Sequence, residues 1–122
     1  MFITRYDSNS SPLEDFVITN GVLEDYVGPG GDVIIPRKVK KIDNNAFGDC
    51  SGLTEVVIPE GVKIIDRSAF SDLEKITISK SVTEIGDHAF LGCKNLIIYG
   101  YKGSYIKRYV GGKTYIRFRY LE

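Results

Sequence analysis

Few side chains in this sequence could do chemistry, and the best placed of them recur in similar positions. Asp43, Asp66 and Asp87 each stand two or three residues before an Ala-Phe pair. A column of carboxylates could ligate Ca²⁺, but calcium takes roughly six to eight oxygens and no Asp-rich loop supplies the others. Asp is also a preferred residue for capping free backbone N–H groups at the start of a helical turn. We therefore interpret the three aspartates as caps and expect no metal site.

The single histidine, His88, is the other candidate for acid–base work. A general base needs a nucleophile or an acid within hydrogen-bond reach, and the sequence around His88 offers none. The sequence also contains no H-E-x-x-H, C-x-x-C or G-x-S-x-G motif and no Walker A motif. It therefore predicts a surface histidine, no catalytic residue, no cofactor and no enzyme.

The two cysteines, Cys50 and Cys93, each follow an Ala-Phe pair at the same spacing, two repeat units apart. Stacked units advance about 4.8 Å each, which places the two Cα atoms about 10 Å apart. A disulfide needs Cα atoms within about 7 Å. The spacing thus predicts two free, buried thiols that pack as small apolar residues.

These residues are carried by a repeated unit. Each unit contains an Ile followed by Pro or Ser, then a Val, an Ile and an Ala-Phe pair. The three copies start at Ile35, Ile58 and Ile78, with spacings of 23 and 20 residues. Self-similarity at a period of this size indicates a solenoid, in which each unit buries its apolar edge against its neighbours.

Within a unit, the apolar spacing predicts which side chains face the core. In the strand that leads into the second unit, Leu53, Val56 and Ile58 should point inward, and Pro59 should end the strand because it cannot donate to a ladder. Residues 66–70 should form a short helical turn on the convex side, with Ala allowing close approach and Phe filling the interior.

The run Ala-Phe-x-x-Cys-x-x-Leu-x-x-Val-x-Ile-Pro-x-x-Val-x-x-Ile, here Ala46 to Ile65, resembles the BspA-type leucine-rich repeat of bacteria and some protists. The segments 16–36 and 98–105 are similar to the opening and closing segments of bacterial members. The resemblance covers about residues 16–121. It implies a short leucine-rich-repeat solenoid, β-dominated, curved and right-handed. Studied members are cell-surface proteins linked to adhesion, so it also implies an interaction module without a catalytic motif.

One leucine-rich-repeat domain at 15–122 follows a flexible lead-in at 1–14. It is divided into an N-terminal β-hairpin at 15–32, about three repeats at 33–100 and a C-terminal cap at 101–122. Asn20-Gly21 predicts the hairpin turn, because both turn positions need positive φ. In the cap, Ser104 could begin a short helix closed by Gly111-Gly112. The last strand, 115–121, should place Ile116, Phe118 and Tyr120 inward and Arg117 and Arg119 outward.

Composition excludes several classes of function. Sixteen basic and sixteen acidic residues cancel, which disfavours a nucleic-acid-coating protein, even though six of the eight tyrosines fall in the basic last quarter. No apolar run approaches the roughly 20 residues that cross a bilayer, so no membrane insertion is expected. The N-terminus lacks an apolar leader region. We expect a cytoplasmic protein, or a secreted or surface one if a leader has been removed.

The candidate binding site is formed by the side chains of the repeat strands that point away from the core, on the inner curve of the solenoid. We call this surface the inner face. From the alternation we assign Asp32, Ile34, Glu55, Val57, Lys75 and Thr77 to it. Ile34, Glu55, Val57, Lys75 and Thr77 are the predicted partner-binding residues, because apolar residues exposed beside charged ones suit a small protein-binding or glycan-binding patch. The alternative interpretation is that exposed β-branched residues simply favour strand pairing.

A different class of function follows from the uneven charge. Residues 1–32 carry six acidic residues and one basic, and residues 101–122 carry six basic and one acidic. Such ends could attract one another in weak head-to-tail self-association, which builds rings or filaments. The alternative is two solvated ends. Salt separates the two hypotheses of function, since association through these charges should weaken at high ionic strength.

Overall fold

A computed structural model describes residues 10–48, 50, 52–110 and 116–121, without the side chains of residues 107, 108 and 110. The predictions for the lead-in at 1–9, for the Gly111-Gly112 helix end and for Tyr115 lie outside these residues. The described chain forms a solenoid built from two sheets, as expected for a leucine-rich repeat.

The elements are short strands and, near the end, one short helix. In chain order they are β1 (Phe16–Thr19), β2 (Val22–Tyr26), β3 (Gly31–Ile34), β4 (Lys41–Ile42), β5 (Leu53–Ile58), β6 (Ile64–Ile65), β7 (Lys75–Ile78), β8 (Glu84–Ile85), β9 (Ile97–Gly100), α1 (Tyr105–Val110) and β10 (Arg117–Tyr120). A 3₁₀ turn, Leu13–Asp15, precedes β1.

From β2 to β9, successive strands along the chain belong alternately to two sheets. One sheet has the order β3-β5-β7-β9-β10 and is parallel throughout. The second sheet has the order β1-β2-β4-β6-β8, parallel except for the antiparallel β1–β2 hairpin. The hairpin turn places Asn20 at φ 51° and Gly21 at φ 82°. Each repeat therefore contributes one strand to each sheet, and the chain crosses between them around a shared core.

The core is a stack of equivalent apolar side chains. Leu53, Val56 and Ile58 are at most 2 % exposed, which confirms the predicted inward positions. Six aromatic rings, one above another, run through the interior with centroids 4.9–6.0 Å apart. They are Phe16, Tyr26, Phe47, Phe70, Phe90 and Tyr109. Neighbouring rings at such distances attract each other beyond their area of burial. The ladder ties each repeat to the next.

The Ala-Phe pairs continue the backbone bonding between repeats outside the two sheets. The Phe47 N–H donates to the Ala69 carbonyl at 2.9 Å, and the Phe70 N–H donates to the Ala89 carbonyl at 3.0 Å. The alanines are 0–1 % exposed. A larger side chain there would separate the stacked backbones, which is why a small residue precedes each Phe.

The predicted helical turn before each Phe is wrong. The chain instead forms a β-turn, in which the Ala46 N–H donates to the Asp43 carbonyl at 3.1 Å. The third residue of each such turn has positive φ: Asn45 at 62°, Ser68 at 55° and His88 at 60°. Such a residue cannot continue a right-handed helix. The aspartate carboxylate accepts from the next N–H instead, as in Asp43 Oδ1 with Asn44 N at 2.9 Å.

The cysteines differ from each other. Both are free, but Cys93 is buried and Cys50 is half-buried, so the prediction of two buried thiols is wrong for Cys50. The Leu73 N–H donates to Cys93 Sγ at 3.4 Å, which gives the buried thiol a polar partner. Burial raises the pKa of both thiols above the usual value.

The departure from proline in the third repeat has a structural reason. Ser79 Oγ donates to the Pro59 carbonyl at 2.9 Å and lies 2.7 Å from Ser81 Oγ. Ser81 Oγ in turn donates to the Val62 carbonyl at 2.7 Å and accepts from the Gly61 N–H at 3.1 Å. The serine pair thus satisfies backbone groups of the preceding repeat that a proline could not reach.

At the N-terminal edge of the all-parallel sheet, Ser11 lies along β3. The Ser11 N–H donates to the Ile34 carbonyl, and the Ile34 N–H donates to Ser11 Oγ, both at 2.9 Å. Residue 11 of the lead-in therefore occupies part of an edge that would otherwise be open to another strand.

At the other end, α1 and β10 follow the last repeat. Ser104 directly precedes the helix and is buried, and its hydroxyl donates to the Tyr101 carbonyl at 2.7 Å. Ile116, directly before β10, is buried and Phe118 on β10 is half-buried, but Tyr120 is 46 % exposed. The predicted inward position of Tyr120 is wrong as to burial: its ring centroid lies 5.2 Å from that of Phe118, on the edge strand of the sheet.

Candidate interaction face

The parallel register brings the predicted partner-binding residues together on one side of the all-parallel sheet. Ile34, Val57 and Thr77 are direct partners on β3, β5 and β7. Glu55 and Lys75 are partners in the adjacent row, next to Asp32. Two rows of side chains therefore cross the strands, one with two β-branched apolar residues and a Thr, the other charged.

The exposure of these residues fits a surface that can bind and still be stable alone. Ile34, Val57 and Thr77 are half-buried, as is Glu55, and Lys75 is exposed. Their apolar surface is partly covered by neighbours on the same face, which is what cross-strand packing provides. The apolar surface that stays exposed lies beside the charged side chains of the adjacent row.

The inner face is larger than the sequence indicated. The rows continue onto β9 and β10 through Ile97 and Tyr99, both half-buried, and through Arg117 and Arg119, both exposed. The alternation along the last strand predicts that the two arginines face outward, but it does not assign them to this face, and neither Ile97 nor Tyr99 is predicted to be part of it. The missing signal was the register of the last repeat, which the sequence leaves open.

Charge is distributed along the face from one end to the other. Asp32 and Glu55 lie on the first two strands, Lys75 on the third, and Arg117 and Arg119 on the fifth. Asp32 Oδ1 accepts from the Thr54 hydroxyl at 2.8 Å. An Arg119 guanidinium N–H donates to the Phe118 carbonyl at 3.3 Å. Both contacts are with uncharged groups, a hydroxyl and a backbone carbonyl.

Aromatic and basic side chains border the face beyond Tyr99. Tyr101 is half-buried, and Lys80 Nζ lies 5.3 Å from the centre of its ring. Lys102 Nζ lies 5.6 Å from the ring centre of Tyr120. Cations over aromatic faces at such distances are attracted to the rings, so these tyrosines are held in place near the basic end of the face.

The other sequence candidates stay apart from this face. Within the second sheet Lys41 Nζ and Asp66 Oδ2 form an ion pair at 3.5 Å, so one member of the aspartate column already has a cation beside it. His88 is exposed at the positive-φ position of its turn. The described residues contain no group of three or more His, Cys, Asp or Glu side chains that could hold a metal ion.

A cleft of about 230 Å³ lies between the loops that precede β7 and β9. It is lined by Asp72, Leu73, Glu74, Gly92, Lys94 and Asn95. The lining contains no serine, cysteine or histidine, and Glu74 and Lys94 are both exposed. The cleft is a depression at the margin of the inner face. Among the described residues, no helix has the length and apolar character that spanning a membrane requires.

Comparison with protein families agrees with this architecture. A family model described as "BspA type Leucine rich repeat region (6 copies)" matches residues 31–110, about two-thirds of the chain. The chain belongs to the BspA-type leucine-rich-repeat family. A search of curated proteins finds no match to it.

Membership of the BspA-type family suggests a protein-interaction module. The leucine-rich-repeat solenoid is typically a non-catalytic scaffold, and in the described part of this BspA-type chain no arrangement of side chains indicates a reaction. The repeats instead build rows of side chains at regular spacing across the strands.

Proposed function

We propose that this chain is a non-catalytic interaction module that binds a partner protein, or a glycan, through the inner face. The observation that carries the proposal is the register, which aligns Ile34, Val57 and Thr77 on three adjacent strands beside Glu55 and Lys75. Half-exposed apolar side chains beside charged ones are a usual composition of a small recognition surface.

The size of the face sets the scale of the partner. Five strands at about 4.8 Å spacing give about 19 Å from the first strand to the last. A standard protein–protein interface buries about 800 Å² on each partner. The inner face is smaller than that and suits a peptide segment or one loop of a partner.

The experiment is capture of partners on the immobilised chain, from lysate and from a panel of matrix proteins. The test variant is Val57→Glu/Thr77→Glu, which places two charges in the middle of the face. The matched control is Ile64→Glu/Thr83→Glu at the second sheet, with Ile64 half-buried on β6 and Thr83 exposed directly before β8. We expect a partner that the wild type and the control retain and the test variant loses. Equal retention by all three would contradict binding through the inner face.

Self-association end to end is the second candidate, and the observation in its favour is the exposed charge at both ends. Glu24 and Asp25 are exposed on β2, and Arg117 and Arg119 are exposed on β10. Ser11 bonds to the β3 edge at Ile34, so a second copy would displace it to continue the sheet there. Charge alone would then have to hold the copies together. Sedimentation of the chain at low and high salt tests this, because an oligomer held together by charge dissociates as the salt concentration rises.

A further inference from the structure

The charges on the inner face are separated by strand. The acidic residues Asp32 and Glu55 lie on β3 and β5, and the basic residues Arg117 and Arg119 lie on β10. Lys75, on the middle strand, is the one further charge in the two rows. Asp72, Glu74 and Lys94, all exposed, line the cleft at the margin and lie outside the two rows. The face therefore has an acidic end and a basic end.

Between the two ends the surface is mostly neutral. Val57, Thr77, Ile97 and Tyr99 are half-buried in the central part of the two rows. The first and last strands are about 19 Å apart. An extended peptide advances about 3.3 Å per residue, so about six residues cover that distance. A segment that crosses the strands would meet opposite charges at its two ends and apolar surface in its middle.

From this arrangement we propose that the partner is an extended peptide segment of polarised charge, with basic residues at one end, acidic residues at the other and about six residues between them. Its basic end would lie over Asp32 and Glu55, and its acidic end over Arg117 and Arg119. Apolar or β-branched residues between the ends would pack on Val57 and Tyr99. This inference rests on the proposed function and specifies the partner that the inner face selects.

The same charges disfavour a uniform polyanion, such as a sulfated glycan or a nucleic acid. A polyanion long enough to cross all five strands would place negative charge against Asp32 and Glu55 while it gained contact with Arg117 and Arg119. Like charges brought together in an interface cost affinity for the wrong partner. A peptide of mixed charge satisfies both ends.

The test uses fluorescently labelled synthetic peptides of about nine residues, with binding followed by fluorescence anisotropy at low salt. One peptide has lysines at one end, alternating valine and threonine in the middle, and glutamates at the other end. A second has the same composition with lysines and glutamates intermixed. A third carries the opposite charges only about two residues apart, and a sulfated polysaccharide serves as the polyanion probe. We expect the first peptide to bind about tenfold more tightly than each of the other probes.

Charge-reversal variants of the protein locate the effect. Asp32→Lys/Glu55→Lys should remove the preference for the first peptide and raise affinity for the polysaccharide. The matched control, Glu24→Lys/Glu84→Lys, changes the net charge equally at exposed positions of the second sheet and should keep the preference. Circular dichroism melting of both variants verifies that each is folded.

Three results would overturn the inference: equal binding of the segregated and intermixed peptides, tighter binding of the polysaccharide by the wild type, or no binding of any peptide. The capture experiment with Val57→Glu/Thr77→Glu tests the proposed function separately. A partner lost by that variant, together with no preference among the peptides, would reject the polarised segment and leave the interaction module standing.

Discussion

The aromatic ladder makes a quantitative prediction about Phe70. Its ring lies in the middle of the stack, with centroids 4.9 Å from Phe47 and 5.8 Å from Phe90, and it is 1 % exposed. Phe70→Ala would leave a cavity between two rings that the neighbouring repeats hold in place. Phe16 provides a comparison, because it is at the end of the ladder, has Tyr26 as its ring neighbour and is 8 % exposed.

The expected loss follows from the packing. Truncation of a buried Phe to Ala costs about 3–5 kcal/mol. Phe70 has ring neighbours on both sides, each contact being worth about 0.5–1.5 kcal/mol, so we place it near the upper end, at about 4–5 kcal/mol. Phe16→Ala should cost about 2–3 kcal/mol, since its site can collapse toward solvent. Phe70→Leu, which keeps most of the volume, should cost about 1–2 kcal/mol.

Urea unfolding monitored by circular dichroism measures these losses. With a slope of about 2 kcal/mol per molar urea, Phe70→Ala should shift the midpoint by about 2 M. If Phe70→Ala is too unstable to fold, Phe70→Leu still gives the ranking against Phe16→Leu. A loss for Phe70 no greater than that for Phe16 would refute the view that the ladder couples the repeats.

Two further predictions concern the turns and the thiols. His88 has a φ of 60°, a conformation that Asn tolerates and a β-branched residue does not. In urea unfolding, His88→Asn should leave the stability unchanged within about 0.5 kcal/mol, whereas His88→Val should cost about 1–2 kcal/mol. Equal costs for Asn and Val would contradict the turn geometry. Burial raises the pKa of the Cys93 thiol, so the unfolded chain loses this proton at a lower pH than the folded chain. The contribution of the Cys93 thiol to the unfolding free energy is therefore complete below the pKa of the unfolded chain, about 8.5. It is lost as the pH rises through the higher pKa of the folded chain. Cys93→Ala should make the unfolding free energy fall less steeply above about pH 8.5, and an unchanged slope would contradict the burial of that thiol.

Much of the fold could be predicted because it depends on side chains that repeat. The spacing of Leu53, Val56 and Ile58 specifies which residues face the core, and the structure has all three buried. Leu73 and Ile76 repeat the same spacing and are also buried. Once the core-facing positions of one repeat are assigned, those of the adjacent repeats can be predicted, because stacking requires the same apolar pattern in each.

What could not be predicted depends on single departures from the repeat. The second repeat spaces its buried Leu73 and Ile76 by three residues, while the last spaces Leu96 and Ile98 by two. Because the last repeat is one residue shorter at this point, its strand register does not follow from the other repeats. The position of Tyr99 on the inner face therefore could not be predicted. The turns were misread for a similar reason. An aspartate before an Ala-Phe pair fits both a helix cap and a β-turn, and only the positive φ of the following residues separates the two.

The most direct test of the account is the affinity of one captured partner for three proteins, measured by titration calorimetry. These are the wild type, Val57→Glu/Thr77→Glu on the inner face and Ile64→Glu/Thr83→Glu on the second sheet. Hot-spot residues, which cluster near the centre of an interface, contribute about 2 kcal/mol or more, which is about thirtyfold in affinity. The account predicts a loss of that size or greater for the inner-face variant and wild-type affinity for the second-sheet variant. Equal affinity of all three proteins would contradict recognition through the inner face.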